Sequence, residues 1–183
     1  MGERRSGTRD KIQTVALELF AEHGYEKTSL REIAERLDVS KAALYYHFKT
    51  KEDIVVSLFE DFIAGIDGLV TWGRDQPRTP ETRHELIQRY ARLTRERPPG
   101  MMRFIQESRT TLRELTVGCR LHDRFHELID VLTRPEAEPV VRLKAAMALI
   151  TIDAAMVMLQ DTDTTEAERH AAGVEVALEL VSA

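Results

Sequence analysis

Residues 28–51, TSLREIAERLDVSKAALYYHFKTK, decide the fold. They read as two short helices joined by a tight turn. Ser29 is placed to cap the first helix, and Glu32 three residues on can reach back to it, a reciprocal capping pattern. Ile33, Ala34 and Leu37 make an apolar stripe at helical spacing, and the small Ala34 lets a second helix cross close by. Asp38 falls where the turn needs a left-handed residue. Glycine is the easiest occupant there, and aspartate tolerates that region better than most. Val39 anchors the turn inward, and Ser40 is placed to cap the second helix, 41–48. Leu44 and Phe48, four apart, point to a core. Tyr45, Tyr46 and His47 cannot all share that face, so some of them look outward. Thr50 with Asp53 signals the start of the next helix. A short helix with hydrogen-bonding and aromatic tips, flanked by Lys49 and Lys51, suits a DNA major groove.

The stretch and its upstream neighbours resemble the helix-turn-helix of the tetracycline-repressor-like (TetR/AcrR) transcriptional regulators. The likeness runs through Ile12, Ala16, Leu19, Phe20, Gly24-Tyr25, Thr28-Ser29 and Ile33-Ala34. It continues in Val39-Ser40-Lys41, in Leu44-Tyr45-Tyr46-His47-Phe48 and in Lys51-Glu52. It covers under a third of the chain. Asp38 departs from the family's usual glycine. The resemblance implies a homodimer whose amino-terminal domains enter successive major grooves. It also implies a carboxy-terminal domain that binds a small molecule and so releases the DNA, with repression as the usual mode.

Charge distribution agrees with a DNA-binding end. The chain carries a net charge of −5, which by itself argues against nucleic acid. Residues 1–51, however, hold ten Lys and Arg against eight Asp and Glu, and residues 52–183 hold sixteen against twenty-three. Local charge sets the phosphate attraction. The single cysteine, Cys119, cannot form an intramolecular disulfide and suggests a reducing compartment. The first ten residues, MGERRSGTRD, lack the apolar stretch of a signal peptide. No apolar run approaches the ~18 residues of a membrane span. A cytoplasmic protein without a membrane partner is expected.

Along the chain, 1–7 read as a flexible arm carrying Arg4 and Arg5, and 8–23 as a helix stopped by Gly24. A long helix from residue 51 carries Ile54, Leu58, Phe62, Ile66 and Leu69, with Trp72 near its end. Pro77 and Pro80 bracket a break. Further helices are predicted over 81–97, 101–115, 119–133, 137–160 and 165–181. The fold class is therefore all-α, with about nine helices. Residues 1–51 form a helix-turn-helix DNA-binding domain with a short arm, and residues 52–183 a helical effector-binding and dimerisation domain.

Candidate residues follow from these placements. Lys41 and Tyr45 would face base edges, since lysine donates to guanine O6 or N7 and a tyrosine ring packs on a thymine methyl. Tyr46, His47 and Lys51 suit phosphate, as does Ser29 at a helix start. Arg31 fits either base or backbone. Ile152 and Met156, with Ala167, Ala171, Val174, Leu178 and Val181, form stripes that a second subunit would cover in a four-helix bundle. Aromatic and methionine side chains over 72–158 suit an adaptable apolar effector pocket: Trp72, Tyr90, Met102 and Phe104, then Ile105, His122, Phe125 and Met156. For any single one of these, ordinary core packing is the better account. No HExxH, GxSxG or phosphate-cradling glycine loop is present, so no catalytic residue, metal or cofactor is expected. The partners implied are double-stranded DNA, a second copy of the chain and an unidentified small molecule. Two other readings stay open: a metal-responsive regulator using Cys119, His122 and His126, which fall on one helix face, and a ligand-independent dimeric DNA-binding adaptor.

Overall fold

In the computed structural model, which describes residues 3–98 and 100–182, ten α-helices and no strand are found among the described residues. α1 (Glu3–His23) ends on Gly24, whose φ of +85° costs nothing without a Cβ. The Gly24 N–H closes on the Phe20 carbonyl at 2.9 Å. α1 starts earlier than expected: residues 3–7, read as a flexible arm, extend the helix. Once a helix is nucleated, each added residue gains a hydrogen bond at little further cost. The side chains of Arg4 and Arg5 lie outside the described residues.

α2 (Leu30–Arg36), α3 (Lys41–His47) and α4 (Lys51–Arg74) follow in the expected order. Beyond them come α5 (Pro80–Arg95), α6 (Met101–Glu107), α7 (Arg109–Glu114), α8 (Thr116–Leu132), α9 (Pro139–Met158) and α10 (Glu166–Ser182). α5 and α9 both begin on proline, whose fixed φ and missing N–H suit a first helical turn. The helix expected over 101–115 is interrupted at Ser108, where φ −113° and ψ 24° leave the helical region. Ser108 still bridges the break. Its N–H donates to Phe104 O at 2.9 Å, and its carbonyl accepts from Leu112 N at 2.8 Å. No described helix is long and apolar enough to cross a membrane.

Two compact units result. The first comprises residues up to 61 together with 97–121, and the second 62–96 together with 122–183. The change between them falls inside α4, not at the 51/52 boundary read from the sequence, and residues 97–121 belong with the amino-terminal unit. The Phe104 ring explains their place: its centroid lies 5.3 Å from that of Phe20 and 6.2 Å from that of Tyr25. Burying such an aromatic contributes about 2 kcal/mol, enough to hold α6 against α1. Ile12, Leu19, Ile33, Leu44, Phe48, Ile54 and Phe59 complete that core. The second unit buries Ile63, Ile66, Leu86, Ile87, Tyr90, Leu149 and Ile152. Its α9 and α10 meet backbone to backbone at Gly173, where an added Cβ would lie 3.0 Å from Ile152 Cα and 3.1 Å from Thr151 O.

Candidate nucleic-acid interface

The helix-turn-helix is built by local hydrogen bonds that the residue types dictate. Ser29 Oγ accepts from Glu32 N at 3.2 Å, and the Glu32 carboxylate accepts from Ser29 N at 3.4 Å, so both halves of the capping box form. At the other end of α2, Asp38 adopts φ +54°. Its N–H donates to Glu35 O at 3.2 Å, and Val39 N–H donates to Ala34 O at 3.0 Å. This pair of bonds is the Schellman termination, and aspartate supplies its left-handed residue in place of glycine. Ser40 Oγ accepts from Ala43 N at 3.1 Å and starts α3. Thr50 and Asp53 cap α4: Asp53 N donates to Thr50 Oγ1 at 3.0 Å, and the Asp53 carboxylate takes the N–H groups of Lys49 and Thr50.

These caps aim α3. Leu44 and Phe48 are buried, which turns the opposite face to solvent. On that face Tyr46 is 61% exposed, and its ring meets His47 edge-on at 5.4 Å. Lys41 is exposed, with Nζ 5.4 Å from the centroid of the half-buried Tyr45 ring. Ala42 and Ala43 are exposed beside them. The seven-residue helix spans about 10 Å, enough to reach a few base pairs.

The basic residues around α3 divide into committed and free ones. Lys51 is committed, since Nζ donates to Tyr25 O at 2.6 Å and Glu26 O at 3.2 Å and lies over the Tyr25 ring. Lys49 Nζ closes the end of α3 on Tyr45 O at 2.7 Å. Arg31 pairs with Glu35 at 2.7 Å, but the pair is exposed. Such exposed, solvent-screened pairs contribute little, so a phosphate can displace Glu35 at little cost. The Arg36 guanidinium, 2.8 Å from Glu22, holds that carboxyl below its usual range and ties α1 to α2. Ser29 keeps its hydroxyl proton available, because its oxygen is the acceptor in the cap.

The residues expected in an effector pocket divide between the two units. Met102, Phe104 and Ile105 belong to the first unit, with Phe104 in its aromatic core. Trp72, Tyr90, His122, Phe125 and Met156 belong to the second. Trp72 is half-buried with the Arg89 guanidinium 4.2 Å from its ring, Tyr90 is buried, and His122 is exposed. None of the eight lines the second unit's cavity of about 300 Å³, which lies among Arg78, Leu86, Val131, Arg134, Lys144 and Val181. Sequence reading missed it because its residues come from five separate segments. The one available signal was the placement of Arg78 and Arg134 beside prolines at helix ends.

Of the expected dimer residues, Ile152 and Val181 are buried by their own chain, Met156, Val174 and Leu178 are half-buried, and Ala167 and Ala171 are exposed. Gly173 brings α10 onto Ile152 and so covers it within the chain. Among the exposed large apolar side chains, Val140, Leu143, Met147, Ile150 and Met158 share another face of α9, and Val141 on α9 and Val176 on α10 are exposed as well. The His122 and His126 rings lie 4.4 Å apart, yet among the described residues no three His, Cys, Asp or Glu side chains are grouped to hold a metal ion.

Comparison with known proteins places this geometry. Residues 12–58 match the family described as bacterial regulatory proteins, tetR family. The HTH-type transcriptional regulator QacR of Staphylococcus aureus is 48% identical over 50 residues, 27% of each chain. The probable HTH-type transcriptional regulator YttP of Bacillus subtilis is 35% identical over 81 residues, 44% of this chain and 39% of its own. The chain thus spans well under half the length of these curated relatives. In fold, a tetR-family regulatory protein from Rhodococcus RHA1 aligns over 94% of this chain and 96% of its own, with a TM-score of 0.65 at 23% identity. The ketosteroid transcriptional regulator KstR2 of Mycobacterium tuberculosis aligns over 98% of this chain and 95% of its own, with a TM-score of 0.68 at 19% identity. Through residues 12–58, which hold the capped helix-turn-helix, the amino-terminal part of the chain is similar to the tetR family of bacterial regulatory proteins.

Proposed function

We propose that this chain is a ligand-responsive transcriptional repressor that binds a palindromic DNA operator as a homodimer and is released by a small molecule. The observation that carries the reading is α3, whose apolar side is locked into the core while Lys41 and Tyr46 stand in solvent. Lys41 and Tyr45 read base edges. Tyr46, His47 and Ser29 contact phosphates and set the register, and Arg31 reaches either a base or the backbone. Lys51 acts chiefly by holding the loop between α1 and α2. The unit that holds α1 to α3 forms the reading head, and the unit of residues 62–96 and 122–183 carries the effector and dimer functions. The protein works in the cytoplasm, with no catalytic residue and no cofactor assigned.

Dimerisation supplies specificity, because one α3 touches too few base pairs. The uncovered side chains at 140, 143, 147, 150 and 158 of α9 recur at helical spacing and offer an apolar seam for a second copy. The test is selection of bound duplexes from a random pool at stated salt. A palindrome is expected, with half-site centres about one DNA turn, or a multiple of it, apart. Recovery of no enriched sequence, or of a single unpaired half-site, would overturn the reading.

A further inference from the structure

The cavity of the second unit has a charge pattern that ordinary packing does not require. Its floor is apolar: Leu86, Val131, Leu132, Ala145 and Val181. Its lining also includes four cations, Arg78, Arg83, Arg134 and Lys144, and no aspartate or glutamate among the described residues. This occurs in the acid-rich part of the chain. The acid that α8 carries just before this region, Asp130, is already paired with Arg142 at 2.7 Å.

The four cations are not equivalent. Arg78 Nη1 donates to the carbonyls of Asp130 and Thr133 at the end of α8, and Arg83 Nε donates to Val181 O near the end of α10 at 3.1 Å. The partial negative charge at those helix ends offsets part of their charge. Arg134 and Lys144 have no ion-pair or side-chain hydrogen-bond partner among the described residues. Two uncompensated positive charges therefore stand beside an apolar hollow. Thr79, Thr82 and Thr133 add hydroxyls to the lining.

We propose that this cavity binds a small amphipathic anion, with its carboxylate or other acidic head on Arg134 and Lys144 and its apolar body on the floor. Like-sign groups around an empty hollow repel one another. An anion removes that repulsion while the floor gains apolar contact. The volume of about 300 Å³ equals roughly ten water volumes at ~30 Å³ each, room for a medium-length apolar body and not for a long-chain one. The site rests on its own geometry. Its role as the effector's seat rests in addition on the regulatory reading.

Octanoate is the probe, with 1-octanol and octylamine as its uncharged and cationic counterparts, titrated calorimetrically into the full chain without DNA. Octanoate is expected to bind saturably, about tenfold or more tighter than octanol and more weakly as salt rises, while octylamine does not bind. The double variant R134E/K144E changes side chains that cap nothing. It should lose octanoate binding and keep octanol binding, which also reports that the hollow is intact. Absence of saturable octanoate binding, or octanoate affinity equal to that of octanol and indifferent to salt, would overturn the site even if the double variant failed to fold. Since no DNA is present, failure here is separate from failure of operator binding.

Discussion

Lys51 Nζ lies 4.4 Å from the centroid of the Tyr25 ring and donates to the same residue's carbonyl oxygen at 2.6 Å. One ammonium thus stitches the first turn of α4 to the loop between α1 and α2. A charged donor to carbonyls contributes about 1.5–3 kcal/mol, and the ring contact adds to it. Lys51→Ala should therefore destabilise the chain by about 2 kcal/mol, read as a lowered urea midpoint. An unchanged midpoint would return Lys51 to the solvated surface.

Tyr25 itself gives a pH signature. Burial, with smaller contributions from Glu52 and Glu26, pushes its phenol up to about 12. The unfolded chain ionises this group near 10, so between 10 and 12 the folded state holds the proton that the unfolded state has lost. Stability from this group is complete below pH 10 and falls as pH rises through 12, by on the order of 1–2 kcal/mol. Tyr25→Phe should flatten that part of the stability curve, with tyrosinate absorbance reporting one late-titrating tyrosine fewer in the variant than in the wild type. Equal slopes for both proteins would contradict it.

On DNA, Tyr46→Ala should weaken selected and scrambled duplexes alike and leave the salt dependence unchanged, since a neutral phenol releases no counterions. Lys41→Ala should cost about 1–3 kcal/mol on the selected duplex and little on the scrambled one. Equal losses on both duplexes for Lys41→Ala would remove it from the base-reading face.

Asp38, at φ +54°, carries the strain that glycine would not. Asp38→Gly should raise stability by about 0.5 kcal/mol, relief of strain exceeding the added freedom of the unfolded chain. Asp38→Val should lower it by more than ~1 kcal/mol, since a β-branched residue is a poor left-handed cap. The two denaturation midpoints should bracket the wild type.

Two helical glycines should respond with opposite signs. Nothing lies within 4 Å of a Cβ added at Gly68, whereas at Gly173 the added atom meets α9 backbone at 3.0 Å. Gly68→Ala should stabilise by about 0.5–1 kcal/mol, and Gly173→Ala should destabilise by about 1–3 kcal/mol. Thermal melts of both variants decide it.

The apolar seam of α9 predicts its own disruption. Leu143→Asp combined with Ile150→Asp should yield a folded chain with weakened self-association, measured by sedimentation, and correspondingly weaker operator binding. Unaltered sedimentation would move the interface elsewhere.

What was legible in the sequence was local chemistry. Ser29 with Glu32, Gly24, Asp38, and Thr50 with Asp53 each satisfy backbone groups within five residues, so their types suffice to place them. What was not legible depends on partners far along the chain. Phe104 reads as an adaptable pocket residue until α6 is seen against Phe20. Ile152 reads as an interface residue until Gly173 brings α10 onto it. Lys51 is a groove-facing cation by composition and a loop tie by geometry. The cationic hollow draws on five segments that no spacing rule connects.

Ala42 and Ala43 stand outward on α3 with nothing but methyl groups to offer. Neither contributes to the core, so asparagine, glutamine or arginine can be introduced there without disturbing the helix-turn-helix. Those side chains bring paired donors that grip adenine or guanine. Change of operator preference is thereby uncoupled from thermodynamic robustness: descendants of this chain can acquire new target sites by single replacements on one small helix, while everything beneath it stays the same.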